Sequence, residues 1–302
     1  MPAPVADVSV IIPAYNEAGN IGAVISKIKA LCPDFQILVI DDGSEDGTTE
    51  AAQAAGAEVY RHPYNIGNGA AVKTGIREAT GDILIFMDGD GQHNPKDIPR
   101  LLEYLPGYDL VVGARSWADQ SSFGRAVGNA IYNRFASYVT KFPVKDLTSG
   151  FRAVKASVAK SMIYLLPNTY SYPTTMTLAV LRAGLSLKYV PIRTQLRKKG
   201  KSSISLFKDG VRFFMMITRI CTLFSPFRVF LPVSFFMLVM GLLRYVQTFI
   251  TGGRFTNMSA LLITTAVVIF MMGMISEQIS QMRFERREGR RSDRLGSDRD
   301  NS

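Results

Sequence analysis

Two apolar runs late in the 302-residue sequence constrain the chain more than any other feature. Phe255 to Ser276 is 22 residues without a charge. At about 1.5 Å per helical residue it extends roughly 33 Å, the thickness of a bilayer's hydrocarbon core. Val229 to Ile250 is as long and carries one charge, Arg244, close enough to its end to snorkel to the interface. The other use of such a pattern is a pair of buried core helices, but runs this apolar are hard to cover on every side in a small domain. The chain is expected to cross a membrane twice.

Charge divides along the same line. The net charge is +10, yet residues 1–192 hold 17 Lys/Arg against 18 Asp/Glu, and residues 193–302 hold 18 against 7. A basic surface for nucleic acid is therefore not expected on the first part, and the excess belongs beside the membrane. Eight Lys/Arg lie in residues 193–219 and five Arg lie in residues 283–291, just after the second run, whereas the connector Thr251 to Asn257 has only Arg254. The positive-inside tendency puts both basic flanks in the cytoplasm, hence a multi-pass inner-membrane protein with both termini cytoplasmic. No charged-then-apolar leader precedes residue 228, and Cys32 and Cys221 are far apart, which suits a reducing compartment. In residues 203–228, Lys208, Arg212 and Arg219 fall within about 40° on a helical wheel, a stripe suited to a helix lying on anionic lipid. An amphipathic core helix has the same spacing. The organisation expected is a catalytic domain over 1–202, an interfacial helix over 203–228, a two-helix hairpin over 229–281 and a disordered basic tail over 282–302.

From residue 8, short β-rich runs alternate with helical stretches. Val8–Ile12, Ile37–Ile40, Glu58–Arg61, Ile83–Met87 and Leu110–Gly113 read as strands. Ile21–Leu31, Thr48–Ala55, Ala70–Ala79 and Pro95–Leu105 read as helices. Such alternation predicts an α/β domain with a mostly parallel sheet, whose ligands bind beyond the carboxyl ends of the strands. Polar residues cluster there: Pro13 to Glu17, Asp41 to Ser44, and Asp88 to His93. Asp88 and Asp90 offer hard oxygen ligands in a partial set, suited to Mg²⁺ or Mn²⁺ completed by substrate phosphates. On spacing alone the pair could equally be a surface turn. Asp41 and Asp42 read as ligand-binding acids or as a cap for the following helix. Gly67-Asn68-Gly69 caps a helix or mimics a dinucleotide loop, lacking that loop's third glycine. Lys73 faces donor phosphates or solvent.

In this order Pro13-x-Tyr15-Asn16-Glu17, Asp41-Asp42-Gly43-Ser44, Asn65-x-Gly67-x-Gly69, Asp88-x-Asp90-Gly91-Gln92-His93, Gly113-x-Arg115 and Asp146-x-x-Ser149-Gly150-Phe151-Arg152 resemble family-2 glycosyltransferases. The nearest likeness is to the dolichol-phosphate mannose synthase and bacterial polyprenyl-phosphate branch, over roughly residues 5–205. The resemblance implies a GT-A fold, a nucleotide-sugar donor of GDP-mannose or UDP-glucose type, a divalent metal and inversion at the anomeric carbon. It places Pro13, Tyr15, Glu17 and Asp42 around the nucleoside with Asp41 beside it, and Asp88, Asp90 and Gln92 at the metal and diphosphate. Arg115, Arg125, Ser149 and Arg152 resemble positions that meet an acceptor phosphate. Arg197, Lys199 and Ser202 lie in what looks like a flexible basic loop over the diphosphate. Asn68 departs from the pattern, since many relatives have a longer residue there, and this leaves the donor open.

The mechanism expected is a single in-line displacement, with metal and basic loop stabilising the departing diphosphate. A phosphate acceptor is already anionic near neutral pH and needs positioning rather than a base. A hydroxyl acceptor needs a carboxylate base, for which Asp146 is the candidate. Two expected membrane spans beside a basic interfacial helix favour polyprenyl phosphate as the acceptor. A hydroxyl of a glycolipid or polysaccharide and a non-catalytic membrane scaffold are the alternatives. Homo-oligomerisation stays open at this level.

Overall fold

A strand covered on both faces needs an unbroken apolar run, and β1 (Val8–Ala14) is one: all seven positions are buried. The computed structural model describes residues 7–115, 123–169, 171–193, 226–253 and 255–300, with backbone alone for 123–129 and 283–300. The chain divides into two units, Met1–Gly210 and Val211–Ser302.

In the first unit β1 is flanked by β2 (Gln36–Asp41) and β4 (Ile83–Phe86), both parallel to it, and β3 (Glu58–Arg61) lies outside β2. Beyond β4 come β6 (Arg152–Lys155), β5 (Leu110–Arg115) and β7 (Leu187–Ile192), giving the order β3-β2-β1-β4-β6-β5-β7. β6 runs antiparallel to both neighbours. Its entry end, preceded by Ser149 and Gly150, therefore lies on the rim where the parallel strands leave the sheet. The five expected strands form within a residue or two of their expected ends. Neither β6 nor β7 is drawn by the sequence reading; β7 carries Pro191, which an edge strand tolerates.

Helices cover the sheet. On α1 (Ala18–Leu31) the buried positions are Ile21, Val24, Ile25 and Ile28, the spacing of one helical face. α2 (Thr48–Ala54) and α3 (Asn68–Glu78) match expectation. The helix expected over Pro95–Leu105 splits into a 3₁₀ turn, Pro95–Asp97, capped by the Asn94 side chain, and α4 (Ile98–Tyr104). α5 (Phe123–Thr140), α6 (Ala156–Met162) and α7 (Tyr172–Arg182) complete the unit.

The second unit holds α8 (Pro226–Gly252) and α9 (Asn257–Asp300). Pro226–Gly252 and Asn257–Met282 are each long and apolar enough to cross a membrane. They pack where small residues let backbones approach: a Cβ on Gly241 would lie 2.8 Å from Ile263, and one on Gly273 2.8 Å from Phe230. Ser234 Oγ donates to the Ala266 carbonyl at 2.8 Å. The backbone of α9 is helical to Asp300, and no proline interrupts it. The expected interfacial helix and the loop with Arg197, Lys199 and Ser202 lie outside the described residues.

Candidate active site

The rim formed by β1, β2 and β4 encloses a cleft of about 220 Å³. β1 and the turn after it supply Pro13, Tyr15 and Glu17; the end of β2 supplies Asp42; the start of α3 supplies Asn65, Asn68 and Ala71; and the end of β4 supplies Asp88 and Asp90. Tyr15 presents an open ring, 41% exposed. Glu17 is held by the Asn20 amide, which donates to Oε2 at 2.8 Å.

Asp88 is gripped from two sides. His93 Nε2 lies 3.3 Å from Asp88 Oδ2, and its ring stacks on Phe151 with centroids 5.2 Å apart. Gly150 leaves room for the carboxylate, since a Cβ there would come within 2.7 Å of Oδ2. Desolvation pushes the Asp88 carboxyl up, but the bond from His93 and the charges of His93, Arg115 and Arg152 outweigh it and hold it below the ordinary range. Asp90 goes the other way: burial, then the neighbouring Asp88 charge, raise it. Two carboxylates at the end of one strand, one of them made unfavourable as an anion, are a donor set that a hard divalent cation completes. Among the described residues no group of three His, Cys, Asp or Glu stands assembled for a metal. Gln92 meets Asp90 through its backbone N–H, at 3.0 Å from Oδ1.

Several expected site residues have other work. Asp41 accepts Ser44 N–H at 2.8 Å and the Thr49 hydroxyl, so it builds the turn into α2. Lys73 donates to the Asn168 side chain, outside the cleft. The Asn168 carbonyl also accepts Gly69 N–H at 2.9 Å, so protein rather than a ligand phosphate closes the start of α3. That resolves Gly67-Asn68-Gly69 as a cap. Arg152 is fully buried and braces the backbone, donating to the carbonyls of Pro173 at 2.8 Å and of Ser149, with Tyr172 5.9 Å below the guanidinium. Burial lowers its pKa. Ser149 is equally buried. Neither touches an open surface, so both differ from the expected phosphate contacts. Of Arg125 the structure describes the backbone alone, in α5.

Arg115 and Asp146 form a two-pronged pair, Nε to Oδ2 at 2.9 Å and Nη2 to Oδ1 at 3.0 Å, with Thr148 Oγ1 2.6 Å from Nη2. Asp146 also accepts the backbone N–H of Thr148 and Ser149. Burial would raise its carboxyl, but Arg115 holds it below the ordinary range. A carboxylate so occupied is a poor base, and the role expected for it under a hydroxyl acceptor is not the one the fold gives it. Among the described residues the Nη1–H groups of Arg115 meet no hydrogen-bond acceptor, and the residue lines a second depression of about 620 Å³ with Val144, Pro143, Tyr189, Arg134 and Lys145.

The model of glycosyl transferase family 2 matches residues 9–163, the stretch that contains this cleft. The chain belongs to that family. As a family-2 glycosyltransferase it carries a further match, to the GtrB C-terminal hairpin, over residues 225–282. Undecaprenyl-phosphate mannosyltransferase of Micrococcus luteus is 31% identical over 213 residues, 65% of this chain and 86% of that protein. Undecaprenyl-phosphate 4-deoxy-4-formamido-L-arabinose transferase of Aeromonas hydrophila is 28% identical over 296 residues, 91% of this chain and 89% of that one. Among solved structures, glucosyl-3-phosphoglycerate synthase from Mycobacterium tuberculosis, with Mn²⁺, UDP and glucosyl-3-phosphoglycerate, superposes with a TM-score of 0.59. It is 22% identical, covering 72% of this chain and 80% of that chain, a likeness of fold that makes the transferase unit GT-A.

Within this glycosyltransferase the sequence reading passes over His62 and assigns no role to Asn65, Asn68 or His93. The composition holds one signal: the chain has two histidines, and each sits against an aspartate of the cleft, His62 on Asp42 and His93 on Asp88.

Proposed function

We propose that the enzyme transfers a sugar from a nucleoside-diphosphate donor to a polyprenyl phosphate, in one displacement that inverts the anomeric carbon, with its catalytic unit on the cytoplasmic face of the membrane. The observation that carries the acceptor choice is the Arg115–Asp146 pair. It withdraws the candidate base beside the guanidinium and leaves donor N–H groups facing an apolar depression with a cationic edge. An acceptor that is already an anion fits that arrangement, and one that must lose a proton does not. The relatives named as undecaprenyl-phosphate transferases support the same acceptor, and the two apolar helices keep the chain where such a lipid resides.

The donor reading rests on the cleft. Tyr15 and Pro13 offer a flat apolar wall for a nucleoside, and Asp42, Asn65 and Asn68 offer its polar edge. Asp88 and Asp90 would hold a divalent cation, as the Mn²⁺-bound fold relative does. When bound, the ion offsets charge growing on the leaving diphosphate. Arg115, fixed by Asp146 and Thr148, orients the attacking phosphate oxygen, and that positioning is the chain's main contribution to rate.

The test incubates the full chain in lipid with Mg²⁺ or Mn²⁺, a panel of labelled nucleotide sugars and undecaprenyl phosphate or the free alcohol. A labelled lipid with phosphate but none with the alcohol is the expected result. Transfer to the alcohol, or to neither, overturns the acceptor assignment. Arg115→Lys should weaken use of the lipid phosphate about tenfold and leave donor binding unchanged, because an ammonium cannot copy the guanidinium fork.

A further inference from the structure

His62 follows β3 and turns its ring into the gap between the end of β2 and α3. Nδ1 lies 2.7 Å from Asp42 Oδ1, and Nε2 lies 2.9 Å from Thr74 Oγ1. Both partners in this contact are enclosed, with side chains 11% and 4% exposed. The same carboxylate accepts Ile66 N–H at 3.0 Å on Oδ1 and Gly67 N–H at 2.8 Å on Oδ2. The His62 backbone N–H is itself tied to the Asp41 carbonyl at 2.8 Å. Thus one aspartate gathers the whole loop from His62 to Gly67.

A carboxylate has about four acceptor positions. Among the described residues His62, Ile66 and Gly67 occupy two on Oδ1 and one on Oδ2, leaving one on Oδ2 of a residue that lines the donor cleft. A carboxylate only accepts, so Nδ1 is the donor of the 2.7 Å bond. Nε2 pairs with the Thr74 hydroxyl at 2.9 Å, which holds the ring in its orientation. The loop that the aspartate gathers carries Asn65, and Asn68 follows directly, both on the cleft wall. The arrangement runs from α3 through an imidazole to the one free lone pair that can meet an N–H of a nucleobase.

We propose that His62, seated by Thr74, is a positioning residue for nucleotide recognition: it aims the last acceptor site of Asp42 and holds the Asn65–Asn68 wall against the donor. The proposal rests on the reading of this cleft as the donor site. It requires donor affinity to depend on His62 while the displacement step does not, since neither His62 nor Thr74 lines the cleft.

The experiment uses the full chain in detergent, titrated calorimetrically with UDP and with GDP in excess Mn²⁺, and followed by transfer kinetics. His62→Ala should weaken the preferred nucleotide about tenfold, the loss of one hydrogen bond to a charged group, and raise donor KM in step with kcat kept. His62→Asn places an amide N–H about where Nδ1–H stands and should restore affinity to within about threefold; Thr74→Val should cost about threefold. A purely structural role would lower the melting temperature of all three variants without ordering their affinities in this way. Unchanged affinity in His62→Ala, or equal loss in His62→Asn and His62→Ala, overturns the proposal. Should His62→Ala not fold, Thr74→Val decides: weaker binding supports the relay and unchanged binding overturns it. A wild-type chain that binds neither nucleotide overturns the reading of the cleft itself, a failure visible before any variant is made.

Discussion

Asp88 and Asp90 stand two residues apart and their carboxyls are pushed in opposite directions, Asp90 up by burial and by the Asp88 charge. A carboxyl whose folded pKa is raised holds its proton more tightly folded than unfolded, so above that pKa its ionised form costs stability. Asp90→Asn should therefore raise the melting temperature of metal-free protein by a few degrees, while transfer falls at least about 100-fold. Melts in chelator beside a transfer assay check both, and a lower melting temperature contradicts the sign argued here. Asp146 has the opposite linkage. Its folded pKa is depressed, so its stabilisation is complete above the unfolded value of about 3.9 and is lost as pH falls through the lower folded value. Removing it strands a guanidinium whose side chain is 25% exposed, and Asp146→Asn should cost about 2–4 kcal/mol at neutral pH. The gap between the two melts should begin to narrow below about pH 4 and close only once pH has fallen past the depressed folded value. Transfer in Asp146→Asn should fall as Arg115 loses its brace but should not be abolished, since no hydroxyl proton has to be removed.

At the scale of elements, α3 is seated by a neighbour rather than by its own sequence. A Cβ on Gly69 would lie 2.0 Å from the Pro167 carbonyl oxygen, a backbone atom with little room to give. Gly69→Ala should cost about 1–3 kcal/mol and raise donor KM, since Asn68 sits at the same turn; equilibrium unfolding with donor kinetics measures both. This scale also shows what the residues disclosed. β1, β2 and β4 announce themselves because they are buried on both faces, and once they are parallel their acidic ends must share a rim. β6 has four residues with a basic residue at each end, Arg152 and Lys155, so nothing in its composition separates it from a loop. Arg152 in a polar motif reads as an anion binder, and its burial is decided by Tyr172, Pro173 and Thr177, some twenty residues on. His62 finds Asp42 and Thr74 at separations with no local pattern.

At the scale of the molecule the two units make separate demands. The hairpin of α8 and α9 predicts that reporters placed at residues 253–256 and after residue 302 lie on opposite sides of the membrane, with the second on the cytoplasmic side. Protease protection of tagged chains in sealed vesicles measures this, and tags on the same side contradict two crossings.

The order of strands in the sheet also sets a schedule. β6 takes its place between β4 and β5, and β7 closes the far edge, so the sheet has all its members only when the ribosome has passed residue 192. The first residue of α8 is 226. At roughly 5–20 residues per second, the nascent chain has a few seconds between those two points. The transferase unit has that interval to close its sheet before the apolar segments call for a bilayer, and a pause in translation between residues 193 and 225 would lengthen it.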